Sequence, residues 1–316
     1  MQLPEASNSV TIGGTAIDTH VPVYTADDHG LQTIIDLAML GTEGVYIGLP
    51  NEVYHASIPY SRSDLHLLAS KSAAHLHHKR EANERPGRSV GDALAVGSFA
   101  HTLLFEPEQE DEYHVLPEGM AFRSNADKAA RDKALEAHGY DRVQRHEDVE
   151  TCRAAVAAVK AHHVTGPWVE RDGLAEVSVI RTLKLGVDVT FKARADWLTF
   201  EQGLVPITDL KTTKDASRSE FEKSAWRFGY ALQAVMYRHL FGLCLDASMG
   251  PFRFACVEKE PPFAVAGYTY TDSSLSRLGD HLDELMWQLS DCIETERWPG
   301  YTDLAVSGID VPRWAL

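Results

Sequence analysis

Between Val187 and Trp197 the chain alternates without a break. Val187, Val189, Phe191, Ala193, Ala195 and Trp197 form one apolar set, and Asp188, Thr190, Lys192, Arg194 and Asp196 fall between them. A period of two belongs to an extended strand with one face on a core and the other polar. The period begins earlier, where Glu176, Ser178 and Ile180 alternate with Val177 and Val179, and Lys184-Leu185-Gly186 reads as the intervening turn. Residues 204–211 read as a third strand with positions 205, 207, 209 and 211 on one face. Residues 220–240 then carry helical spacing, with Trp226, Tyr230, Gln233 and Tyr237 in one stripe that is mainly packing. Two more strands near 252–258 and 264–269 precede a helix at 274–294.

Upstream, Ser61 and Asp64 have the spacing of a helix start, with a helical pair running to about Glu81. Residues 89–105, 125–137 and 147–163 are also helical in pattern, whereas 106–118 is an acidic solvated loop. Residues 1–45 hold a short helical run near Leu31–Leu40 and no readable motif, and are expected to be an N-terminal extension of a single domain spanning 46–316. The sum is an α/β fold: a mixed sheet flanked by helices, in the order helix, three strands, helix, strand, with an added helical region before it.

On the third strand Asp209 and Lys211 share a face and Leu210 points the other way, while Asp196 stands on the strand before. Two carboxylates can hold Mg²⁺, and an adjacent lysine can orient or help deprotonate a water. Asp-x-Lys alone is common and more often a surface ion pair. Here it is accompanied by Gly97 and His101 one helical turn apart, by Glu176, and by Gln233 and Tyr237 one turn apart. Lys192 and Arg194, on the polar side of their strand, are candidate DNA contacts, with pairing to the aspartates as the alternative.

The net charge of −16 argues against a DNA partner at first sight, since phosphate contacts dominate such binding. The charge is uneven: residues 62–88 and 181–238, which carry the motifs, are each +3. Acidic surface elsewhere would favour a basic groove. The four cysteines, Cys152, Cys244, Cys256 and Cys292, form no C-x-x-C pair and are expected to be reduced and buried, without an iron–sulfur cluster. No apolar run approaches membrane-spanning length, and the Met1–Glu5 start has no signal-peptide character, so a cytoplasmic protein is expected. No phosphate-binding loop, His-Glu-x-x-His or Gly-x-Ser-x-Gly motif is present, so ATP is not expected to be used.

The order Gly-x-x-x-His, Glu, Asp, Asp-x-Lys, Gln-x-x-x-Tyr resembles the RecB-like branch of the PD-(D/E)xK nuclease superfamily. More narrowly it is similar to the RecE-type phage exonucleases (exonuclease VIII). That likeness includes Tyr54-His55-Ala56, Ser61-Arg62-Ser63, Trp298-Pro299-Gly300-Tyr301 and Pro312-Arg313-Trp314, and covers roughly residues 45–316. It implies a restriction-endonuclease-like core and a Mg²⁺ ion, with Mn²⁺ tolerated, held by His101, Asp196, Asp209 and the Leu210 carbonyl. Lys211 would meet the water or phosphate, Glu176 would bind the metal directly or through water, and Gln233 and Tyr237 would contact DNA. It further implies 5′-to-3′ digestion of linear duplex DNA, a single-strand annealing recombinase as partner, and a ring-shaped homo-oligomer. The glycine often found ahead of the first aspartate is absent from Ala193-Arg194-Ala195. The alternatives are an endonuclease or repair nuclease, and a non-catalytic DNA-binding or phage assembly protein.

Overall fold

A computed structural model describes residues 4–82, 93–120 and 124–301. Pro312-Arg313-Trp314 and the start of the helix expected from residue 89 lie outside them. The chain opens with β1 (Ser7–Ile12), β2 (Thr15–Thr25), α1 (Ala26–His29), α2 (Leu31–Met39), β3 (Gly44–Ile47) and α3 (Asn51–Ala56). Helices α4 (Arg62–Ser70), α5 (Ala73–Ala82) and α6 (Ala93–Phe105) follow, then β4 (His114–Val115), α7 (Asn125–His138) and β5 (Val143–Gln144). Next come α8 (His146–Ala161), α9 (Gly166–Val169) and the long strands β6 (Gly173–Lys184), β7 (Asp188–Thr199) and β8 (Leu204–Thr213). The described chain finishes with α10 (Arg218–Arg227), α11 (Tyr230–Cys244), β9 (Ser248–Glu258), β10 (Val265–Thr269) and α12 (Asp272–Thr295).

One mixed sheet runs β1-β2-β3-β6-β7-β8-β9-β10. The pairs β2–β3 and β8–β9 are parallel, and the others antiparallel. The stretch expected to be an N-terminal extension thus supplies the outer edge of this sheet, and Val10, Ile12, Ile17, Val21 and Val23 enter its core. On one face the sheet packs against α4, α5, α10, α11 and α12, through residues such as Leu65, Leu76, Phe221, Leu240 and Leu289. On the other, Leu210, Ala255 and Val257 meet Phe99 of α6 and Val149, Val156 and Val159 of α8. All four cysteines are free and buried. Among the described residues no helix is long and apolar enough to cross a membrane.

The helix expected at 220–240 is two helices. Gly229 breaks it with φ +70°, and a Cβ there would lie 2.7 Å from His66 Nδ1. Only glycine takes that backbone conformation without a steric cost and also admits the imidazole. Gly229→Ala is expected to destabilise the protein by about 1–2 kcal/mol, read as a lower urea midpoint. The break also splits the expected aromatic stripe: Trp226, at 72% exposed, turns to solvent, while Gln233 and Tyr237 are buried.

The predicted start at Ser61 is realised by Asp64, whose Oδ2 accepts from Ser61 N and Ser61 Oγ, both at 2.8 Å. Lys79 Nζ of α5 donates to its Oδ1 at 2.9 Å, tying the helical pair together. Burial alone would raise the Asp64 pKa; the Lys79 charge and these hydrogen bonds outweigh it and hold the carboxyl below its ordinary value. Such a group contributes stability above its unfolded pKa, near 3.9, and loses it as pH falls through the lower folded value. Asp64→Asn is therefore expected to cost about 1.5–3 kcal/mol at neutral pH. The gap to wild type should close in acid unfolding series below about pH 4.

Candidate active site

The site lies where β7 and β8 part. Their ladder pairs Trp197 with Thr208 and Leu198 with Ile207, and goes no further. Beyond it Asp196 Oδ2 takes the Leu210 N–H at 3.1 Å, a side chain standing where a backbone carbonyl would be. N–H and C=O of one strand residue point to the same edge, so the Leu210 carbonyl faces this fork too. The Leu210 side chain anchors the strand among α6 and α8.

On the opposite face Asp209 Oδ2 sits 2.5 Å from Lys211 Nζ. Asp209 Oδ1 accepts from Gln233 Nε2 of α11 at 2.5 Å. Burial, and then the charge of Asp196, push the Asp209 pKa up to about 6 despite Lys211. For Lys211, burial opposes the charged form, but Asp209 and Asp196 outweigh it and raise its pKa. The Tyr230 ring lies 4.4 Å from the ammonium and covers it.

His101 is placed as the cation of Asp196. Its Nδ1 faces Gly97 O at 2.8 Å, and its Nε2 faces Asp196 Oδ2 at 2.8 Å. Both nitrogens therefore face oxygen acceptors, the arrangement of an imidazolium. Burial disfavours that charge, but Asp196 overrides it and lifts the pKa to about 9. The Nε2 expected to meet a metal thus meets a carboxylate that is itself a candidate ligand.

Glu176 joins the cluster through a kink. It has φ +48°, a conformation rare for a non-glycine residue and concentrated at functional sites. Ala175 and Val177 should share a face, yet Ala175 packs with the α6–α8 side and Val177 with the other. On β7 the paired residues Trp197 and Ala195 divide in the same way, and Trp197 stacks on Phe105. The unbroken alternation of the sequence therefore swaps faces at Glu176 and Asp196. Glu176 Oε2 is 3.6 Å from Arg194 Nη1. Burial first, then Asp196, raise the Glu176 pKa to about 7.

Lys192 and Arg194 are not offered to DNA: they are 4% and 6% exposed. Lys192 Nζ donates to Tyr54 O, Ser57 O and Ser57 Oγ at 2.6, 2.7 and 3.1 Å. Arg194 donates from Nε to Ser178 Oγ and from Nη2 to Leu49 O, each at 2.7 Å. The polar face of β7 is closed over by the loop before α3 and by α3 itself, and its cations satisfy carbonyls there. Tyr237 is likewise interior: its hydroxyl is hydrogen-bonded to that of Tyr54, and its ring meets Phe252 edge-on. Gln233 holds Asp209 instead of reaching for phosphate. Tyr230, expected as packing, caps Lys211, and Tyr54, expected only as part of the family likeness, lines the Lys192 and Arg194 pocket. The Trp298–Tyr301 motif packs on α5: Pro299 O accepts from Ala74 N, and Trp298 and Tyr301 face His77 and His75.

Among the described residues no group of three or more His, Cys, Asp and Glu side chains is drawn together as a ready metal cage. The donor chemistry nevertheless suits a hard divalent cation that keeps most of its waters. Asp196, Asp209 and the Leu210 carbonyl offer only oxygen. Gln233 Oε1 has no hydrogen-bond partner, and Asp209 Oδ2 receives no well-aligned hydrogen bond.

Residues 61–307 match the family described as "PDDEXK-like domain of unknown function (DUF3799)". The crystal structure of a "putative exonuclease" from Eubacterium rectale superposes with a TM-score of 0.52 at 15% identity. That overlap covers 80% of this chain and 90% of the other, and speaks to fold alone. A second solved structure, SSO0001, overlaps 40% of this chain and 59% of its own at 18% identity; its TM-score of 0.24 carries no argument. No curated protein matches the chain.

Proposed function

The chain belongs to this PDDEXK-like family, and we propose that it is a divalent-metal-dependent, ATP-independent deoxyribonuclease acting on linear double-stranded DNA. Its finer reading is a RecE-type 5′-to-3′ exonuclease that leaves 3′ single-stranded tails for phage-type recombination. Mg²⁺ is its expected cation, with Mn²⁺ accepted. A ring of identical subunits would supply processivity, and an annealing recombinase would take up the tails.

The observation that carries the reading is the fork itself: two carboxylates, the partly buried Asp196 and the buried Asp209, with Lys211 against the second. Asp196, Asp209 and the Leu210 carbonyl are the groups that would hold the cation, with Glu176 beside them. A bound cation would supply Lewis-acid polarisation of the phosphate and a more acidic water. The chain's own residues do the positioning. Gln233 fixes the Asp209 carboxylate from α11. His101 keeps Asp196 ionised and aims it at the Leu210 amide. Lys211, charged throughout the neutral range, is placed to donate to the developing charge on phosphate.

The test is digestion of linear duplex DNA labelled separately at its 5′ and 3′ ends, with Mg²⁺ and no ATP, beside a covalently closed circle. Release of 5′ label with circles intact is the expected result. Cut circles would replace the exonuclease reading with an endonuclease, and loss of 3′ label first would reverse the polarity.

A further inference from the structure

The corner between α10 and α11 carries two solvent-exposed aromatic residues beside the site. Trp226 is 72% exposed and Phe228 47% exposed. The corner is pinned to α4: Arg62 Nη1 donates to Phe228 O at 2.7 Å, and His66 Nε2 meets Arg227 O at 3.1 Å. Gly229 lets the backbone close onto His66. The rings are thus displayed from a fixed backbone, which lowers the entropy a ligand would have to remove.

The corner is continuous with the catalytic cluster. The Phe228 ring centroid is 5.9 Å from that of Tyr230, and the Tyr230 centroid is 4.4 Å from Lys211 Nζ. Phe228 therefore stands within about 10 Å of the lysine, roughly the length of three stacked bases at 3.4 Å rise. The charge around the rings suits a phosphate backbone. On α10 the cations Arg218 and Lys223 are paired with Glu222 and Glu220. Arg62 and Arg227, which flank the rings, have no carboxylate partner among the described residues. Arg62 is held by Phe228 O, and the Arg227 guanidinium lies 5.5 Å from the Phe228 ring centroid. Aromatic rings beside arginines that no carboxylate neutralises are the recognition chemistry of unstacked nucleic-acid bases.

We propose that Trp226 and Phe228 form a stacking platform for unpaired DNA bases next to the scissile phosphate, so that a single-stranded tail is preferred over a blunt end. The inference rests on the nuclease reading and adds to it the form of DNA end the site selects. Paired bases offer no free face inside a duplex, so only a tail or an opened end engages both rings.

The test is equilibrium binding in EDTA at low salt, followed by fluorescence anisotropy, with a tailed duplex and a blunt duplex of the same sequence. Wild type is expected to bind the tailed DNA more tightly. Trp226→Ala and Phe228→Ala should each weaken tailed binding about tenfold while leaving blunt binding nearly unchanged. Trp226→Phe should retain most of the affinity. Trp287→Ala, removing a ring 55% exposed on α12, should match wild type. Equal affinities of wild type and the two alanine variants for tailed DNA would overturn the platform and leave the nuclease reading standing. So would equal losses on both DNAs, or a matching loss in Trp287→Ala. A wild type that binds neither DNA would overturn the platform, and the nuclease reading would then be decided by the digestion assay with Mg²⁺.

Discussion

Lys211→Ala is expected to lower the rate of phosphodiester hydrolysis by about 10²–10³-fold, the usual cost of removing one aligned donor to transition-state charge. Affinity for DNA should change far less, because Arg62 and Arg227 at the rim are untouched. Lys211 is only 16% exposed at its side chain and is held between Asp209 and the Tyr230 ring, so its ammonium is confined to one place. Asp209→Asn should be as severe for a different reason. It keeps the Gln233 contact geometry but removes the charge that would hold the cation. Single-turnover cleavage measured beside DNA binding separates the two effects. A Lys211→Ala protein that cleaves at the wild-type rate would reduce Lys211 to a counter-ion of Asp209.

Arg194→Leu is expected to cost about 2–5 kcal/mol of stability, from two buried acceptors left without their donor at about 1–3 kcal/mol each. The change leaves Leu49 O and Ser178 Oγ without their donor and Glu176 without its nearest cation. In a chain of this size the melting temperature should fall on the order of 10 °C. A direct DNA contact would behave differently: Arg194→Leu would then melt like wild type and reduce the salt dependence of binding. Differential scanning calorimetry and a salt titration decide between the two roles.

These two residues show how far a sequence reading reaches. The alternation correctly placed β6, β7 and β8, and it put Asp209 and Lys211 on one face with Leu210 opposite. It also marked Lys192 and Arg194 as polar-facing. It could not say that α3 and the loop before it, more than 130 residues earlier in the chain, would cover that face and supply carbonyls to both cations. Nor does any residue type announce the face swap at Glu176. Glutamate has no preference for positive φ, and the swap is enforced by packing on both sides of the sheet. Two other misses left local traces. Gly13-Gly14, both at positive φ, is a hairpin signal between Val10-Thr11-Ile12 and the next strand, within the stretch expected to be an extension. Gly229 within an otherwise helical pattern was a break signal, and it moves Trp226 from a packed stripe to the solvent. The His101 contact depends on long-range docking of α6 against β7, which spacing along the chain does not encode.

If the Asp196–Asp209–Lys211 fork hydrolyses DNA with the help of a divalent cation, both the cation and Asp209 must be indispensable. The most direct measurement is release of acid-soluble nucleotides from linear duplex DNA, with Mg²⁺, with Mn²⁺ and with EDTA, using wild type and Asp209→Asn. Release by wild type with either cation, none in EDTA, and a loss of at least about 10²-fold in the variant are expected. No release by folded wild-type protein with either cation would contradict hydrolysis by the fork, and so would undiminished release by Asp209→Asn.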